Sequence, residues 1–540
     1  MKSLLSAFFC LLLLGPAQSG AQRSIYQGLR TGQLFCEYTI KPLAIGTTMP
    51  HLHWTLESEL RNQQQSACEI QVADNPALLA KDHPNYWNSG RISDSMVMGV
   101  NYAGKSLSSF TRYYWRVRVF DQSGHPSPWS AVSWFETAAL SQSDWKASWI
   151  GDGSKLPEKE EDFYKPDPMP LFRKDFAIHK KLRSARLYIS GLGYYEAFMN
   201  GEKIGSAVLD PGFTAYSKEV LYSVYDVASL LQKNSNSLAV MLGNGWWNPL
   251  PFGFFGRWQL RDFQQTGRPC LRAELHLEYK DGSQEVIHTD DSWLTRPGPI
   301  VRNNVYLGEY YDARLEVPNW KLTGRSADGW KQAVIAKGPE GNMFPQMQPP
   351  IVIADTIRAQ RILSAGPDTF LVDMGQNFAG VGLIKVQGPK GTTISLRYGE
   401  DLFSDGRLNG LTSAATQIKK GGTKGGPGMP ETAWQEDHYT LKGEGLEEWH
   451  PRFTFHGFRY IEVTGWPGKP ALENFAGLKM HANLDAAGSF SCSNDMFNQL
   501  HEVIKRTFLS NVFSVQSDCP AREKMGYGGD MVATADAYMY

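Results

Sequence analysis

Runs of alternating apolar and polar residues dominate the first 480 or so positions of this chain. Tyr113-Tyr-Trp-Arg-Val-Arg-Val-Phe120, Ala185-Arg-Leu-Tyr-Ile-Ser190, Ile384-Lys-Val-Gln-Gly388 and Ile394-Ser-Leu-Arg-Tyr398 all follow this pattern. A period of two, broken by Gly, Pro, Asn or Asp, predicts half-buried β-strands joined by tight turns. Helical spacing is nearly absent there, apart from a short piece at 227–231. The pattern changes near 490. Ser493 offers an N-cap, Asp495 falls in the first turn, and Phe497, Leu500, Ile504 and Phe508 recur on one helical face. These features predict a helix over 494–510. From Asp530 onward the residues favour helix again.

The predicted strands group into modules. Residues 28–138 read as a fibronectin-III-like β-sandwich with a turn at Asp121-Gln-Ser-Gly124. Residues 139–170 read as a linker, rich in Pro and charge from Gly151 onward. Residues 171–345 read as a jelly roll with tight turns at Met199-Asn-Gly201, Asp210-Pro-Gly212 and Leu242-Gly-Asn-Gly245. Residues 346–482 read as a further β-sandwich with a Gly-rich loop at 421–428, and 487–540 read as the start of a helical domain that is incomplete at 540. The expected fold is therefore mainly β: several β-sandwich and jelly-roll domains, followed by the first helices of a helical domain.

The N-terminus adds a destination. Lys2, the apolar run Leu4 to Leu14, Pro16 and the small residues up to Ala21 form the pattern of a secretory signal peptide over 1–21. The run is too short to span a bilayer, and no later segment has 18 uninterrupted apolar residues, so the expected product is exported, secreted or periplasmic, with no integral membrane segment. The net charge of −1 over 540 residues gives no electrostatic case for nucleic acid or an anionic membrane as partner. Five Cys follow the leader: Cys36, Cys68, Cys270, Cys492 and Cys519. The number is odd and the spacing wide, which is neither a disulfide scaffold nor a zinc motif; a bridge between Cys36 and Cys68 stays open.

Aromatics are plentiful, with 16 Trp and 23 Tyr. Such rings fill cores and interfaces, and they also stack on sugar faces. Trp246-Trp247-Asn-Pro249 and Phe252-Gly-Phe-Phe-Gly-Arg-Trp258 suit either an exposed carbohydrate contact or a packing seam. A non-catalytic, secreted carbohydrate-binding or adhesion protein is one reading they allow.

The densest chemistry lies at Asp518-Cys-Pro-Ala-Arg-Glu-Lys-Met-Gly-Tyr-Gly-Gly-Asp530. It holds three carboxylates, two cations, one Pro and three Gly in thirteen residues. A carboxyl kept protonated near neutral pH, by burial or by neighbouring carboxylates, protonates a leaving glycosidic oxygen. Other carboxylates and an Arg can hold sugar hydroxyls. The same composition also fits a salt-bridged loop between helices.

These thirteen residues resemble the active-site loop of the bacterial α-L-rhamnosidases. Thr111 to Val119, Asp144-Trp-Lys-Ala-Ser-Trp-Ile150, Gly191-Leu-Gly-Tyr-Tyr-Glu196, Asp373-Met-Gly-Gln-Asn377, Arg397-Tyr-Gly-Glu400, Gln435-Glu-Asp-His-Tyr439 and Phe455-His-Gly-Phe-Arg-Tyr460 resemble that family's preceding domains, in order. The resemblance implies hydrolysis of terminal α-L-rhamnose from rhamnose-containing glycans or glycosides, with inversion, by two carboxylates in an (α/α)6 barrel. Inversion sets an acid and a base roughly 6.5–9.5 Å apart so that water fits at the base. It implies Glu523 as the general acid, Asp518, Arg522 and Asp530 as sugar-holding groups, and Tyr527 as a stacking ring where Trp is usual. Glu523 follows Arg522 directly, one residue sooner than in the commoner form of the loop. No cofactor is required; calcium, used by some jelly rolls of the family, is a further implication, with no Asp/Asn spacing here that names ligands. The family's general base comes from later in the barrel. The chain as written, stopping soon after the loop, is therefore expected to be a fragment, inactive, with apolar helix faces that lack partners.

Overall fold

The computed structural model describes residues 28–93, 99–251, 253–254, 258–415 and 432–539. The expected leader at 1–21 and the Gly-rich stretch at 421–428 lie outside the described residues. The chain divides into two compact units: 1–41 with 49–106 and 113–134, and 42–48 with 107–112 and 135–540.

The first unit is a small β-sandwich. One sheet pairs Arg30–Cys36, His51–Glu57 and Val100–Asn101; in the other, Gln65–Ala73 lies between Trp87–Ile92 and Arg112–Asp121. Alternation dictates the faces. Trp115, Val117 and Val119 are buried while the arginines between them point outward, where Arg118 pairs with Glu69 at 2.6 Å and lies 4.6 Å over Trp129. Trp54 is buried, and its indole N–H donates to Gln65 Oε1 at 3.0 Å, satisfying the polar tip of a core ring. No disulfide joins Cys36 to Cys68. Both are buried, and burial pushes the Cys36 thiol well up, so it behaves as a small core residue.

The second unit holds three large sheets and the helices near the C-terminus. Two sheets face each other as the jelly roll. The central strands of one are Cys270–Tyr279, Leu182–Leu192 and Glu219–Asp226; those of the other are Tyr194–Met199, Asn234–Gly243 and Pro170–Ile178. Leu187, Ile189, Val240, Leu242, Leu275 and Trp293 fill the space between them. The segment between Gly151 and Pro170 carries a short 3-10 turn, Glu160–Tyr164, whose Tyr164 is buried and donates to the Pro251 carbonyl at 3.0 Å. The piece predicted at 227–231 is a 3-10 turn, Ala228–Leu230.

The third sheet has ten strands, and its order is not the chain order. Ile300–Asn304 and Gly308–Asp312 form one edge, and Gly308–Asp312 pairs in parallel with Glu436–Thr440. Thr393–Gly399, His456–Thr464, the eighteen-residue strand Thr369–Val386, Phe475–Ala482 and Ile351–Arg358 follow. The parallel pairing requires glycine at 308. Its φ is +84°, and a Cβ there would stand 2.1 Å from the Glu436 carbonyl oxygen.

The helix after the last strand of the third sheet spans Asp495–Ser510. Its cap is Asn494 rather than Ser493: the Asn494 side chain accepts from Met496 N at 3.0 Å. Both residue types cap well, so the choice falls to where the chain turns. One face touches the third sheet, where Arg506 donates to Gln376 at 3.1 Å. Phe497, Leu500 and Val503, on another face, are about half exposed. The second helix is Gly528–Thr534, starting two residues earlier than its composition predicts, with Asp530 in its first turn.

Candidate active site

A two-strand hairpin, Val512–Phe513 with Val515–Gln516, connects the first helix to the loop of interest. The hairpin is clamped on both sides. Phe513 is buried and stacks on Phe455 with centroids 4.0 Å and planes 8° apart. Ser514, at φ +63°, accepts at its Oγ from the Phe213 backbone N–H at 3.2 Å. The Phe455-His-Gly457 strand start accepts the loop closely: a Cβ on Gly457 would stand 3.0 Å from Pro520 and 3.1 Å from Ala521, which is buried.

Asp518 closes the loop on itself. Its backbone N–H donates to the Met525 carbonyl at 3.0 Å, and its Oδ1 accepts from Met525 N at 3.2 Å. Cys519 Sγ donates to Asp518 Oδ2 at 2.9 Å and accepts from Glu523 N at 3.4 Å. Burial, then Asp518, raises the Cys519 thiol. A residue expected to hold sugar is therefore also the brace of the turn that presents Glu523.

Glu523 is partly exposed, and its Oε2 accepts from the Tyr527 hydroxyl at 2.5 Å. That hydrogen bond is the first cause of a raised Tyr527 phenol, with burial second. Tyr527, expected to stack on sugar, thus reaches the carboxyl itself, which an indole at this position would do only through a different geometry. Arg522 is exposed, and among the described residues its guanidinium makes no ion pair. It lies within electrostatic reach of Glu400, whose carboxyl is raised by burial against the Asn377 amide and the Arg522 charge. Asn377 Nδ2 donates to Glu400 Oε1 at 2.8 Å. The segments containing Asp373 to Asn377 and Arg397 to Glu400 therefore meet beside the loop, a pairing that their separation in sequence conceals. Asp530 stands at the start of the second helix; among the described residues its carboxylate makes no hydrogen bond.

Beneath the loop lies a buried polar layer. Lys524 is 2 % exposed; its Nζ donates to the Val305 carbonyl at 2.9 Å and to the Phe455 carbonyl, and lies 4.3 Å over the Phe455 ring. Burial pushes this ammonium down to about 7, with Asp437 opposing. Tyr306, next to Val305 and also buried, donates to the Glu523 carbonyl at 2.6 Å. Asp437 accepts from Glu309 N at 2.8 Å and faces His456 Nε2 at 2.8 Å. The Gln435 amide nitrogen donates to the Ser413 carbonyl, so its oxygen faces His456 Nδ1 at 3.0 Å. The two ring nitrogens of His456 thus lie against Gln435 and Asp437, and burial drives His456 toward neutral, with Asp437 opposing. Glu309, completely buried, is raised to about 8 by burial and then by Asp437, against the Phe453 and Arg452 amides. In the sequence Lys524 reads as one of two surface cations flanking Glu523. Tyr306 and Glu309 carry no local signal for this role, since the groups they meet here, the Glu523 carbonyl for Tyr306 and the Phe453 and Arg452 amides for Glu309, are more than a hundred residues away.

The aromatic loop at 246–247 belongs to the core. Trp246 and Trp247 are 5 % and 2 % exposed, and Trp246 meets Tyr306 edge-on at 5.6 Å. They form the packing seam behind the loop, not an exposed sugar platform; the side chains of 252–258 lie outside the described residues. Among the described residues no group of three or more His, Cys, Asp or Glu is placed to hold a metal ion, so no ligand set for calcium is named. No helix there is long and apolar enough to cross a membrane.

Four family models match the chain in succession. They are the Rha78A-like, N-terminal immunoglobulin domain at 31–141, the alpha-L-rhamnosidase N-terminal domain at 180–355, the bacterial alpha-L-rhamnosidase concanavalin-like domain at 363–481 and its 6 hairpin glycosidase domain at 485–540. An alpha-L-rhamnosidase of Formosa agariphila is 34 % identical over 521 residues, covering 92 % of this chain and 52 % of its own length. The solved alpha-L-rhamnosidase of Dictyoglumus thermophilum is 36 % identical with a TM-score of 0.85, over 95 % of this chain and 56 % of that one. That of Streptomyces avermitilis, complexed with L-rhamnose, is 28 % identical with a TM-score of 0.82, over 94 % and 63 %. The chain belongs to the bacterial alpha-L-rhamnosidase family. It spans about half the length of the Formosa relative.

Proposed function

We propose that this chain carries the acid half of an α-L-rhamnosidase site, which removes terminal α-L-rhamnose from glycans or glycosides. One observation carries the assignment. Glu523 lies in the stretch matched by the hairpin glycosidase domain, and its carboxyl is presented at a partly open surface with Tyr527 as its hydrogen-bond partner. Glu523 protonates the departing glycosidic oxygen. Arg522 and Asp530 have free donor and acceptor capacity for rhamnose hydroxyls; Asp518 keeps spare lone pairs beside its bracing bonds. Tyr527 orients the Glu523 carboxyl through its hydroxyl, and its exposed ring edge contributes contact area to the sugar.

The reaction runs with inversion. A second carboxylate activates water on the opposite face of the sugar, and it comes from the part of the relatives' barrel that this chain does not cover. The half-exposed face of Phe497, Leu500 and Val503 supports that view, because it is apolar and awaits further helices. The 540-residue chain alone is accordingly inactive. The leader at 1–21 supports an exported enzyme, secreted or periplasmic.

The test is Glu523→Gln in the full-length enzyme. Loss should be about 10²-fold or more on an alkyl α-L-rhamnoside and far smaller on the 2,4-dinitrophenyl rhamnoside, whose leaving group needs little proton help. Equal losses on both would refute Glu523 as acid. Proton NMR of the first product should show β-L-rhamnose; α-L-rhamnose would refute inversion.

A further inference from the structure

The residue beside the acid is buried in a way that its chemistry makes costly. Lys524 sits at φ +56°, a left-handed backbone that L side chains with a long stem rarely adopt. The turn sends neighbouring side chains opposite ways: Glu523 stays partly exposed, while Lys524 is 2 % exposed. An ammonium taken out of water must find compensation. This one finds two carbonyls, Val305 and Phe455, and the face of the Phe455 ring. Val305 lies in the turn between the two edge strands of the third sheet, and Phe455 just precedes His456–Thr464 in its middle. Tyr306, one residue from Val305, donates to the carbonyl of Glu523 itself. Below, the Asp437 carboxylate supplies the counter-charge and is held by His456 and by Glu309 N. A methionine or leucine would fill the same space without the desolvation cost, so filling space does not account for a lysine here.

We propose that Lys524 is a positioning residue for the general acid. Its ammonium, fixed to the Val305 and Phe455 carbonyls, and the Tyr306 hydroxyl on the Glu523 carbonyl together set where the Glu523 carboxyl points. The β-sheets are in this way part of the catalytic apparatus: they aim the acid from beneath. The proposal rests on reading Glu523 as the acid. A displacement of roughly 1 Å in a reacting group is enough to cost on the order of 10²-fold in rate.

The test uses Lys524→Met and Tyr306→Phe in the full-length enzyme, with Glu523→Gln alongside, on the alkyl and dinitrophenyl rhamnosides. Far-ultraviolet circular dichroism reports whether each variant is folded. Expected for folded Lys524→Met is a fall in kcat of about 10²-fold on the alkyl substrate, within the range of a displaced acid. KM should change little, and the fall on the dinitrophenyl substrate should be less than about a tenth as large. Tyr306→Phe should show the same leaving-group dependence, smaller. Equal losses on both substrates, or no loss in the folded variant, overturn the proposal and leave Lys524 a packing residue. If Lys524→Met does not fold, Tyr306→Phe decides alone: leaving-group dependence supports the proposal and its absence overturns it. Failure of Glu523→Gln to show that dependence instead overturns the acid assignment, a separate result.

Discussion

Replacing Glu196 by Gln tests how firmly the jelly roll is tied to the sheet under the acid loop. Glu196, 5 % exposed, lies on the fully buried strand Tyr194–Met199. Its Oε1 accepts from Lys203 Nζ at 3.1 Å, and its Oε2 accepts from Arg452 Nη1, across in the third-sheet region, at 2.9 Å. Burial pushes this carboxyl up, but Arg452 and then Lys203 outweigh it and hold it at about 2, down from 4.5. A displacement of that size corresponds to about 3 kcal/mol of charge-dependent stability. Since the folded value is the lower one, the contribution is complete above pH 4.5 and is lost as pH falls through about 2. Glu196→Gln keeps the shape and removes the charge. At pH 7 it should cost about 3 kcal/mol, in line with breaking a buried pair by removing one partner. The transition of the 540-residue chain that melts the jelly roll should fall by roughly 6–12 °C. Thermal unfolding followed at pH 7, 4, 3 and 2 should show the gap between wild type and variant closing as the pH drops. A gap below about 2 °C at pH 7, or one that stays constant down to pH 2, would refute the account.

Two other changes probe the seat of the loop and the open helix face. Phe513→Ala removes the ring stacked on Phe455; it should cost about 3–5 kcal/mol locally and raise amide hydrogen exchange across 511–527, and unchanged protection there would show that the stack does not hold the loop. Leu500→Lys with Val503→Lys charges two half-exposed apolar positions; self-association of the 540-residue chain in sedimentation velocity should fall while its β-sheet circular dichroism is kept, and an unaltered sedimentation profile would count against an unpartnered face.

Much of the architecture was legible because it is local. Strict alternation in Arg112–Asp121 and the one-sided apolar spacing in Asp495–Ser510 identify strand and helix, since period two and period 3.6 each place one face inward. The catalytic candidates were legible for the same reason: Asp518 to Asp530 is continuous, and it resembles one family's loop apart from the missing residue before Glu523 and Tyr527 in place of Trp. The cap read at Ser493 falls instead at Asn494, because both residues satisfy the same local rule and the chain turns one residue later.

What lies under the loop was not legible. Lys524 looks like solvent-facing charge next to Glu523, yet its side chain runs inward. That direction follows from a left-handed φ and from carbonyls at Val305 and Phe455, 219 and 69 residues away. Glu309 and Asp437 become neighbours through a parallel pairing of Gly308–Asp312 with Glu436–Thr440. Such a pairing is fixed by sheet order, to which no sequence period responds. Likewise Trp246 and Trp247 could have been a sugar platform or a seam, and burial against Phe213, Tyr216 and Tyr306 made them a seam. The sequence by itself thus determined the strands, the helix and the residues of the candidate acid loop, because each depends on neighbours along the chain. Tertiary structure alone decided what holds that loop and turns Lys524 inward beneath it, because hydrogen bonds and buried charge depend on which distant backbone carbonyls and carboxylates arrive at the same place.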